Sequence, residues 1–306
     1  MIGRVCVAGG GVIGSLFAGH LAHVCEVVVL CRREEHARAL REEGLRVSGR
    51  AALESRVEAT TDPGELGEVD LAIVACKGTD LEAVAARLEG HVAGAIVMTV
   101  QNGLGAEEIV GGHGAWPLVS GVTFMSGTRH ADTHVEYILD TPTWVGPYRD
   151  TSFADVQEIA GLIVSSGLKA EAFEDLRPTQ WSKLIFNATV NAVSALTELP
   201  HDFHFAAEER PSDLGHLVHA LVDEGKAVAA AAGVELREDP WEMNLLATRR
   251  GSAHYPSMLE DVEALRPTEI ETITGSLVRE ARRLGVAVPL HTALYRLVTA
   301  KEASYS

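Results

Sequence analysis

The sequence is poor in aromatic residues and in positive charge. Phe, Trp and Tyr make up 5% of its 306 residues, and 26 Lys and Arg stand against 43 Asp and Glu, a formal net charge of −17. General binding to nucleic acids depends on neutralising phosphates and on base-stacking surfaces, so this composition argues against it. The same charge argues against docking on anionic lipid. We expect neither a nucleic-acid partner nor a membrane partner.

Cysteine and long apolar runs are also scarce. The four cysteines lie in the first quarter of the chain and form no C-x-x-C pair, which predicts buried free thiols in a reducing compartment. No run approaches the ~18 apolar residues of a membrane span. The apolar N-terminus is interrupted by Gly9–Gly11 and is typical of a strand rather than a signal peptide. We therefore expect a cytoplasmic protein.

Two kinds of catalytic motif are missing. The chain has three histidine pairs at i, i+3 spacing, but no acid or cysteine completes a ligand set beside any of them. They are His20/His23, His201/His204 and His216/His219. There is no G-x-S-x-G motif for a serine nucleophile. We expect no metal site and no nucleophilic catalysis.

The order of elements predicts an α/β fold with two parts. Short apolar strands alternate with helical segments in the first hundred residues, which indicates a parallel, doubly wound Rossmann-type sheet. The predicted strands are Val5–Ala8, Glu26–Leu30, Val69–Cys76 and Ala95–Val100, and the helices are Val12–Leu21, Arg38–Glu43 and Leu81–Leu88. From Pro178 onward only helices are predicted: Pro178–Leu196, Ser212–Ala232, Ser257–Ala264, Thr268–Leu284 and Thr292–Lys301. We expect a nucleotide-binding domain at 1–174 and an all-helical substrate and catalytic domain at 175–306.

A glycine-rich motif follows the first predicted strand and opens a helix. It satisfies G-x-G-x-x-G with Gly9, Gly10, Gly11, Val12, Ile13 and Gly14. In this context the pattern indicates a dinucleotide site, in which the pyrophosphate meets the backbone at the helix N-terminus. A glycine turn without a ligand is the alternative.

The end of the second predicted strand favours NADP over NAD. An NAD site usually carries an acid there for the ribose 2′-hydroxyl. This chain has Arg32 and Arg33 and no acid within 28–33. A guanidinium suits a 2′-phosphate, although both arginines could be ordinary solvated loop charges.

A lysine stands in an otherwise apolar helix. Lys183, Asn187 and Asn191 have i, i+4, i+8 spacing, which puts them on one helix face. A helix with so little charge should be buried, and buried lysines are rare unless paired. We interpret the strip as lining a substrate cleft, with the lysine as proton donor and the amides as hydrogen-bonding groups. A snorkelling lysine beside capping or surface asparagines is the alternative.

A buried lysine needs a carboxylate, and the segment 266–271 supplies candidates. Thr268 and Glu271 match a capping box, which leaves Glu269 without a local task and makes it the candidate functional acid. Ser257 and Glu260 match a second capping box, so Ser257 is either an N-cap, a substrate contact or both.

Two further candidates follow predicted strands. Asn102, in the segment Gln101–Gly105, comes after the strand Ala95–Val100, and Lys77 comes after Val69–Cys76. Ligands of doubly wound sheets lie beyond the carboxyl ends of their strands. Ordinary turn chemistry explains either residue as well.

Taken together, these motifs resemble the ketopantoate reductase (2-dehydropantoate 2-reductase) family over nearly the whole chain. The resemblance rests on GGGVIG at 9–14, Arg32, CKGTD at 76–80, QNGLG at 101–105, WSKLIFNATVNAVSALT at 181–197 and SMLEDVEALRPTEIETITG at 257–275. The last two blocks are the specific ones, since a glycine motif alone indicates only a superfamily.

The resemblance implies an NADPH-dependent oxidoreductase that reduces ketopantoate to (R)-pantoate in pantothenate and coenzyme A biosynthesis. It implies that Lys183 is the general acid and that Glu269 holds it. Asn187, Asn191 and Ser257 would bind substrate, and Asn102 and Lys77 would lie near the nicotinamide ribose and the substrate carboxylate. A homodimer is compatible with this interpretation.

Two histidines depart from the family pattern. His201 and His254 stand where the best-matching members have Asn, beside the expected substrate pocket. Imidazoles there would change the shape and pH sensitivity of the pocket. The alternatives are therefore a family member acting on a different keto acid, carbonyl or imine, and a non-catalytic NADP-binding regulator.

Overall fold

The computed structural model describes residues 2–206, 213–249 and 255–305. By their internal contacts they fall into two compact units. The first comprises the chain up to Gln101 together with Ala106–Leu176, and the second comprises Asn102–Gly105 together with the chain from Arg177 onward. The short segment Asn102–Gly105 thus belongs to the second unit by its contacts, although the residues on either side of it in the sequence belong to the first.

The first unit is a mixed α/β structure with two sheets. Its strands are β1 (Arg4–Ala8), β2 (Glu26–Leu30), β3 (Leu45–Gly49), β4 (Leu53–Ser55), β5 (Glu58–Thr60), β6 (Leu71–Val74), β7 (Ile96–Thr99), β8 (Leu118–Thr123), β9 (Ser126–Ala131), β10 (His134–Leu139), β11 (Thr143–Arg149) and β12 (Ala170–Ala172). Its helices are α1 (Val12–Leu21), α2 (Glu34–Glu43), α3 (Leu81–Leu88), α4 (Ala106–Gly112) and α5 (Phe153–Ser165).

The large sheet has the order β12-β11-β8-β7-β6-β1-β2-β5. The six neighbouring strands β5, β2, β1, β6, β7 and β8 run parallel, and β11 pairs with β8 in the antiparallel direction. This part has the strand order of a Rossmann fold, so the predicted fold class is confirmed. The order reverses between β1 and β6, which puts the turn after β1 beside the turn after β6.

The parallel strands are apolar because helices cover both of their faces. Val5 to Ala8 of β1 and Leu71 to Val74 of β6 are fully buried. One group of core residues packs with α1, α2 and α5, and another packs with α3 and α4. Each group contains alternate residues of the same strands, as the period of two requires.

The first unit also holds a small sheet that the sequence interpretation missed. Its order is β4-β3-β10-β9, and it combines strands from two distant stretches of the chain. These strands alternate exposed and buried residues and contain several charges, so they lack the continuous apolar runs of the large sheet. The pairing of β3 with β10 joins the two stretches into one sheet.

The second unit is helical in the part of the chain that the structure describes. Its helices are α6 (Arg177–Thr197), α7 (Asp213–Ala231), α8 (Pro240–Thr248), α9 (Ser257–Glu263), α10 (Thr274–Leu284) and α11 (Pro289–Glu302). The sequence interpretation missed α8, whose start is marked by the Asp239 side chain accepting from the Trp241 N–H and by Pro240. A cluster of apolar side chains from α6, α7, α10 and α11 forms the core.

The predicted helix Thr268–Leu284 starts six residues late, at Thr274. Thr268 Oγ1 accepts from the Ile270 N–H at 3.1 Å, so Thr268 closes a tight local turn rather than capping a helix. The Gly275 N–H then donates to the Ile270 carbonyl, five residues earlier, whereas an α-helix bonds residues that are four apart.

Both predicted capping boxes are wrong. The Glu271 carboxylate bonds the Arg279 guanidinium and the Tyr295 hydroxyl instead of returning to Thr268. At α9 the N-cap position is occupied by Pro256, and Ser257 is the first helical residue, with no side-chain cap.

Two absences hold for the described residues. Residues 2–206, 213–249 and 255–305 contain no helix that is long and apolar enough to cross a membrane. The same residues bring no three His, Cys, Asp or Glu side chains together as metal ligands.

Packing around the glycine loop leads to a stability prediction. A Cβ at Gly14 would lie 1.8 Å from the Gly9 carbonyl oxygen, whereas a Cβ at Gly11 would meet no atom within 4 Å. We expect Gly14→Ala to lower the free energy of unfolding by about 3 kcal/mol, and Gly11→Ala to change it by less than about 1 kcal/mol. Chemical denaturation of both variants checks this, and equal destabilisation by the two would contradict the close approach of α1 to β1.

Candidate active site

The glycine loop lies at the carboxyl end of β1, where the strand order reverses. Gly9 has φ +116°, and a Cβ there would lie 2.8 Å from the backbone nitrogen of Cys76, in the turn after β6. Packing within the protein therefore accounts for Gly9 and Gly14. It does not account for Gly11, at the N-terminus of α1, because a side chain there would enter open space. A pyrophosphate can approach the backbone closely where no side chain stands between the backbone and open space.

The two arginines after β2 differ in how strongly they are engaged. Arg33 Nη2 donates to both carboxylate oxygens of Asp132 at 2.8 Å. Arg32 Nη1 lies 3.4 Å from both carboxylate oxygens of Asp80, and 78% of the Arg32 side chain is exposed. An anion could thus bind the Arg32 guanidinium with less loss of existing ion pairing than at Arg33. Lys77 is exposed and begins the short turn after β6.

The second unit contains the predicted polar strip. Lys183, Asn187 and Asn191 lie on α6 with 8%, 8% and 6% of their surface exposed. This burial excludes the alternative of a snorkelling lysine between surface asparagines. The helix can bury them because the rest of its sequence is apolar and packs in the core of this unit.

Asn102 joins Lys183 to Glu269. Lys183 Nζ donates to Asn102 Oδ1 at 2.7 Å, and Asn102 Nδ2 donates to Glu269 Oε2 at 3.1 Å. Asn187 Nδ2 lies 3.5 Å from the same Asn102 oxygen. Because a carboxylate only accepts, Glu269 orients the amide so that its oxygen, and not its NH₂ group, faces the ammonium.

Burial and charge act in opposite directions on the lysine. Burial lowers the pKa of Lys183, the negative charge of Glu269 partly offsets this by raising it, and the resulting pKa is about 8. The ammonium can therefore exchange its proton near neutral pH, which is the range in which a general acid is effective. An ordinary exposed lysine would hold its proton too tightly.

Close backbone packing brings Asn102 to this position. Gly103 has φ +94°, and a Cβ there would lie 1.8 Å from the Thr272 carbonyl oxygen. The Leu104 N–H donates to the same carbonyl at 3.3 Å. The glycine after Asn102 thus lets this segment meet the turn that follows Glu269.

The remaining predicted substrate residues are less closely connected. Asn191 lies two turns along α6 from Lys183, and Ser257 is exposed at the start of α9. His254 lies outside the described residues. His201 is 1% exposed and bonds Asn244 Oδ1 at 2.8 Å, with the rings of Phe186 and Phe205 against it, so it is a core residue of the second unit.

The sequence interpretation missed two acidic partners. Asp80 lies beside Arg32, and its place at the end of the CKGTD motif was a signal that it stands at the same sheet edge. Asp132 holds Arg33 from the turn between β9 and β10. No local signal pointed to Asp132, because the small sheet that carries it was not predicted.

Comparison with known proteins identifies the family of this chain. The family model described as "Ketopantoate reductase PanE/ApbA" matches residues 5–150, and its C-terminal counterpart matches residues 175–302. The 2-dehydropantoate 2-reductase of Halobacterium salinarum is 31% identical over 300 residues, covering 96% of this chain and 97% of its own. The corresponding protein of Pyrococcus abyssi is 28% identical, with 98% of both chains covered.

Solved structures share the fold over nearly the full length. The 2-dehydropantoate 2-reductase of Methylococcus capsulatus superposes with a TM-score of 0.86 at 27% identity, covering 99% of this chain and 98% of its own. A D-mandelate dehydrogenase solved with NADH and anilino(oxo)acetate superposes with a TM-score of 0.90 at 24% identity, with 99% of both chains covered, which shows a common fold alone. The matched family models and the relatives confirm the resemblance, and the chain belongs to the ketopantoate reductase family of oxidoreductases.

Proposed function

We propose that this protein reduces a 2-keto acid with NADPH, and that its substrate is 2-dehydropantoate, which becomes (R)-pantoate for pantothenate and coenzyme A synthesis. The observation that carries the proposal is the hydrogen-bonded series Lys183–Asn102–Glu269, in a protein whose relatives are named 2-dehydropantoate 2-reductase. We assign nucleotide binding to residues 1–174 and substrate binding to residues 175–306. Location in the cytoplasm and assembly as a homodimer stay predictions.

In this proposal the loop Gly9–Gly14 and Arg32 hold NADPH, and Lys77 and Asn102 contact its nicotinamide half. The open space at Gly11 and the exposed guanidinium of Arg32 support this fit. When bound, the reduced nicotinamide supplies a hydride to the C2 carbonyl carbon of the substrate. The protein must then provide a proton for the oxygen and polar groups for the rest of the acid.

Lys183 provides the proton in this proposal. Its ammonium is a donor with three N–H groups that is held by Asn102 Oδ1, and in this proposal it also donates to the carbonyl oxygen of the substrate. As negative charge grows on that oxygen, the buried cation stabilises it and transfers a proton. Glu269 holds the amide that holds the lysine, and Asn187, Asn191, Ser257 and His254 complete the substrate contacts.

A second candidate is reduction of a different 2-keto acid by the same residues. The departure from the family pattern at His254 is the observation that favours this alternative. A non-catalytic regulator is less well supported, because it has no use for a buried lysine joined to a carboxylate.

An oxidation assay with a panel of substrates tests the proposal. The loss of NADPH absorbance is followed with ketopantoate and, separately, with pyruvate, 2-oxoisovalerate, oxaloacetate and benzoylformate. We expect the highest kcat/KM with ketopantoate. Faster turnover of another acid would select the second candidate, and no turnover with any of them would refute reduction of 2-keto acids.

Cofactor preference can be tested at the two arginines. We expect Arg32→Ala to raise the KM for NADPH by about tenfold to a hundredfold, which corresponds to one lost charge-assisted bond, with little change for NADH. Arg33→Ala is the matched control, because Asp132 already engages that guanidinium. The opposite result, with Arg33 controlling NADPH, would shift the 2′-phosphate contact by one residue.

The role of Lys183 can be tested by substitution. We expect Lys183→Ala to lower kcat by about 10²–10⁴-fold, as is typical of lost acid–base catalysis, while NADPH still binds. Lys226→Ala removes a lysine that pairs with Asp239 outside this site and should leave kcat unchanged. Near-normal turnover of Lys183→Ala would assign the proton to another group.

The pH dependence follows from the same pKa. Since the protonated lysine is the active form, kcat should fall as pH rises through about 8. Glu269→Gln removes the charge that raises the pKa of Lys183, so the decline should begin at lower pH in that variant. Profiles of log kcat against pH for both proteins measure this, and a shift toward higher pH would contradict the coupling.

A further inference from the structure

The last turn of α11 contacts both elements that carry the proposed catalytic groups. Lys301 Nζ donates to the Ala195 carbonyl at 3.1 Å and pairs with Glu198 Oε1 at 3.1 Å, at the C-terminal end of α6. Its neighbour Glu302 accepts the Thr268 N–H at 2.6 Å through Oε1. Two adjacent residues thus bind the helix of Lys183 on one side and the segment of Glu269 on the other.

The segment before Glu269 has little regular structure to hold it. It follows the end of α9, where Leu265 has φ +51°, an uncommon conformation for a residue with a side chain. Arg266 is tied to Asp261 by an ion pair of 2.9 Å and by its backbone N–H. Regular helix resumes only at Thr274. On its C-terminal side Glu269 is held from within the segment, because its carbonyl accepts from the Ile273 N–H and the Thr272 hydroxyl. On its N-terminal side a contact from outside the segment can fix its position.

Glu302 supplies such a contact at the residue next to Glu269. Thr268 donates its backbone N–H to Glu302, and its hydroxyl accepts from the Ile270 N–H, so both sides of Glu269 are bonded.

We propose that Glu302 is a positioning residue for Glu269. It touches no reacting group and acts by holding the Thr268 amide, which sets where the Glu269 carboxylate meets Asn102 and hence how Lys183 is presented. This inference rests on the function proposed above. It adds to that function a residue at the end of α11, far along the sequence from any of the catalytic motifs.

The experiment compares Glu302→Ala with Glu302→Gln. Alanine removes the acceptor, whereas glutamine keeps a carbonyl oxygen for the Thr268 amide. We expect Glu302→Ala to lower kcat by about tenfold, as misplaced catalytic groups do, with the KM for NADPH unchanged, and Glu302→Gln to restore most of kcat. Glu280→Ala removes a carboxylate that pairs with Arg283 elsewhere and is the matched control.

Two readouts separate positioning from general stability. Hydrogen–deuterium exchange at the Thr268 amide should accelerate in Glu302→Ala and stay slow in Glu302→Gln. In the pH profile, Glu302→Ala should bring the decline of kcat to lower pH, because a displaced Glu269 raises the pKa of Lys183 less. Where the alanine variant does not fold, Glu302→Asp, whose shorter side chain withdraws the carboxylate, takes its place.

The outcomes distinguish this inference from the function on which it rests. Wild-type kcat and an unchanged pH profile in Glu302→Ala, in an enzyme that is otherwise active, overturn the positioning role. Slow exchange at Thr268 in that variant overturns it as well, with or without turnover. Absence of turnover in the wild-type protein overturns the proposed function, while exchange at Thr268 still decides whether Glu302 holds the segment.

Discussion

The burial of one ammonium group is the constraint on which the catalytic arrangement depends. Moving a charge out of water costs several kcal/mol unless hydrogen bonds and an opposite charge compensate for it. Here the compensation comes from Asn102 and Glu269, which belong to two segments far from Lys183 in sequence. The lysine can be buried only if α6, the segment Asn102–Gly105 and the turn around Glu269 all reach one place.

Much of the local backbone is explained by this requirement. Gly103 allows the Asn102 segment to come against the Thr272 carbonyl at a distance that a side chain would prevent. The turns at Glu269–Ile273 delay α10, and this leaves Glu269 outside a regular helix, where its carboxylate can face the Asn102 amide. Irregular backbone is thus concentrated where the polar groups must meet, while α6 itself is a regular, buried helix.

Local patterns were enough to predict the elements whose burial is uniform. The strands β1, β2, β6 and β7 were recognisable because each is a short, continuous apolar run. The helices α1, α3 and α6 were recognisable from their helical patterns of apolar and small residues. The small sheet was not recognisable, since β3 and β10 are short, partly charged and paired across a long stretch of chain. The capping boxes at Thr268 and Ser257 failed for a related reason: the amide of Thr268 found a better acceptor in Glu302, and Pro256 took the N-cap position.

The sequence by itself determined the class of fold, the family and the identity of the polar residues, because glycine spacing, apolar periodicity and a lone lysine in an apolar helix are local properties. Tertiary structure decided which of those residues meet. It joined Lys183 to Glu269 through Asn102, put His201 in the core with Asn244, and engaged Arg33 with Asp132 while Arg32 stayed exposed. These outcomes depend on distances between segments that are remote in the chain, and no local pattern encodes such distances.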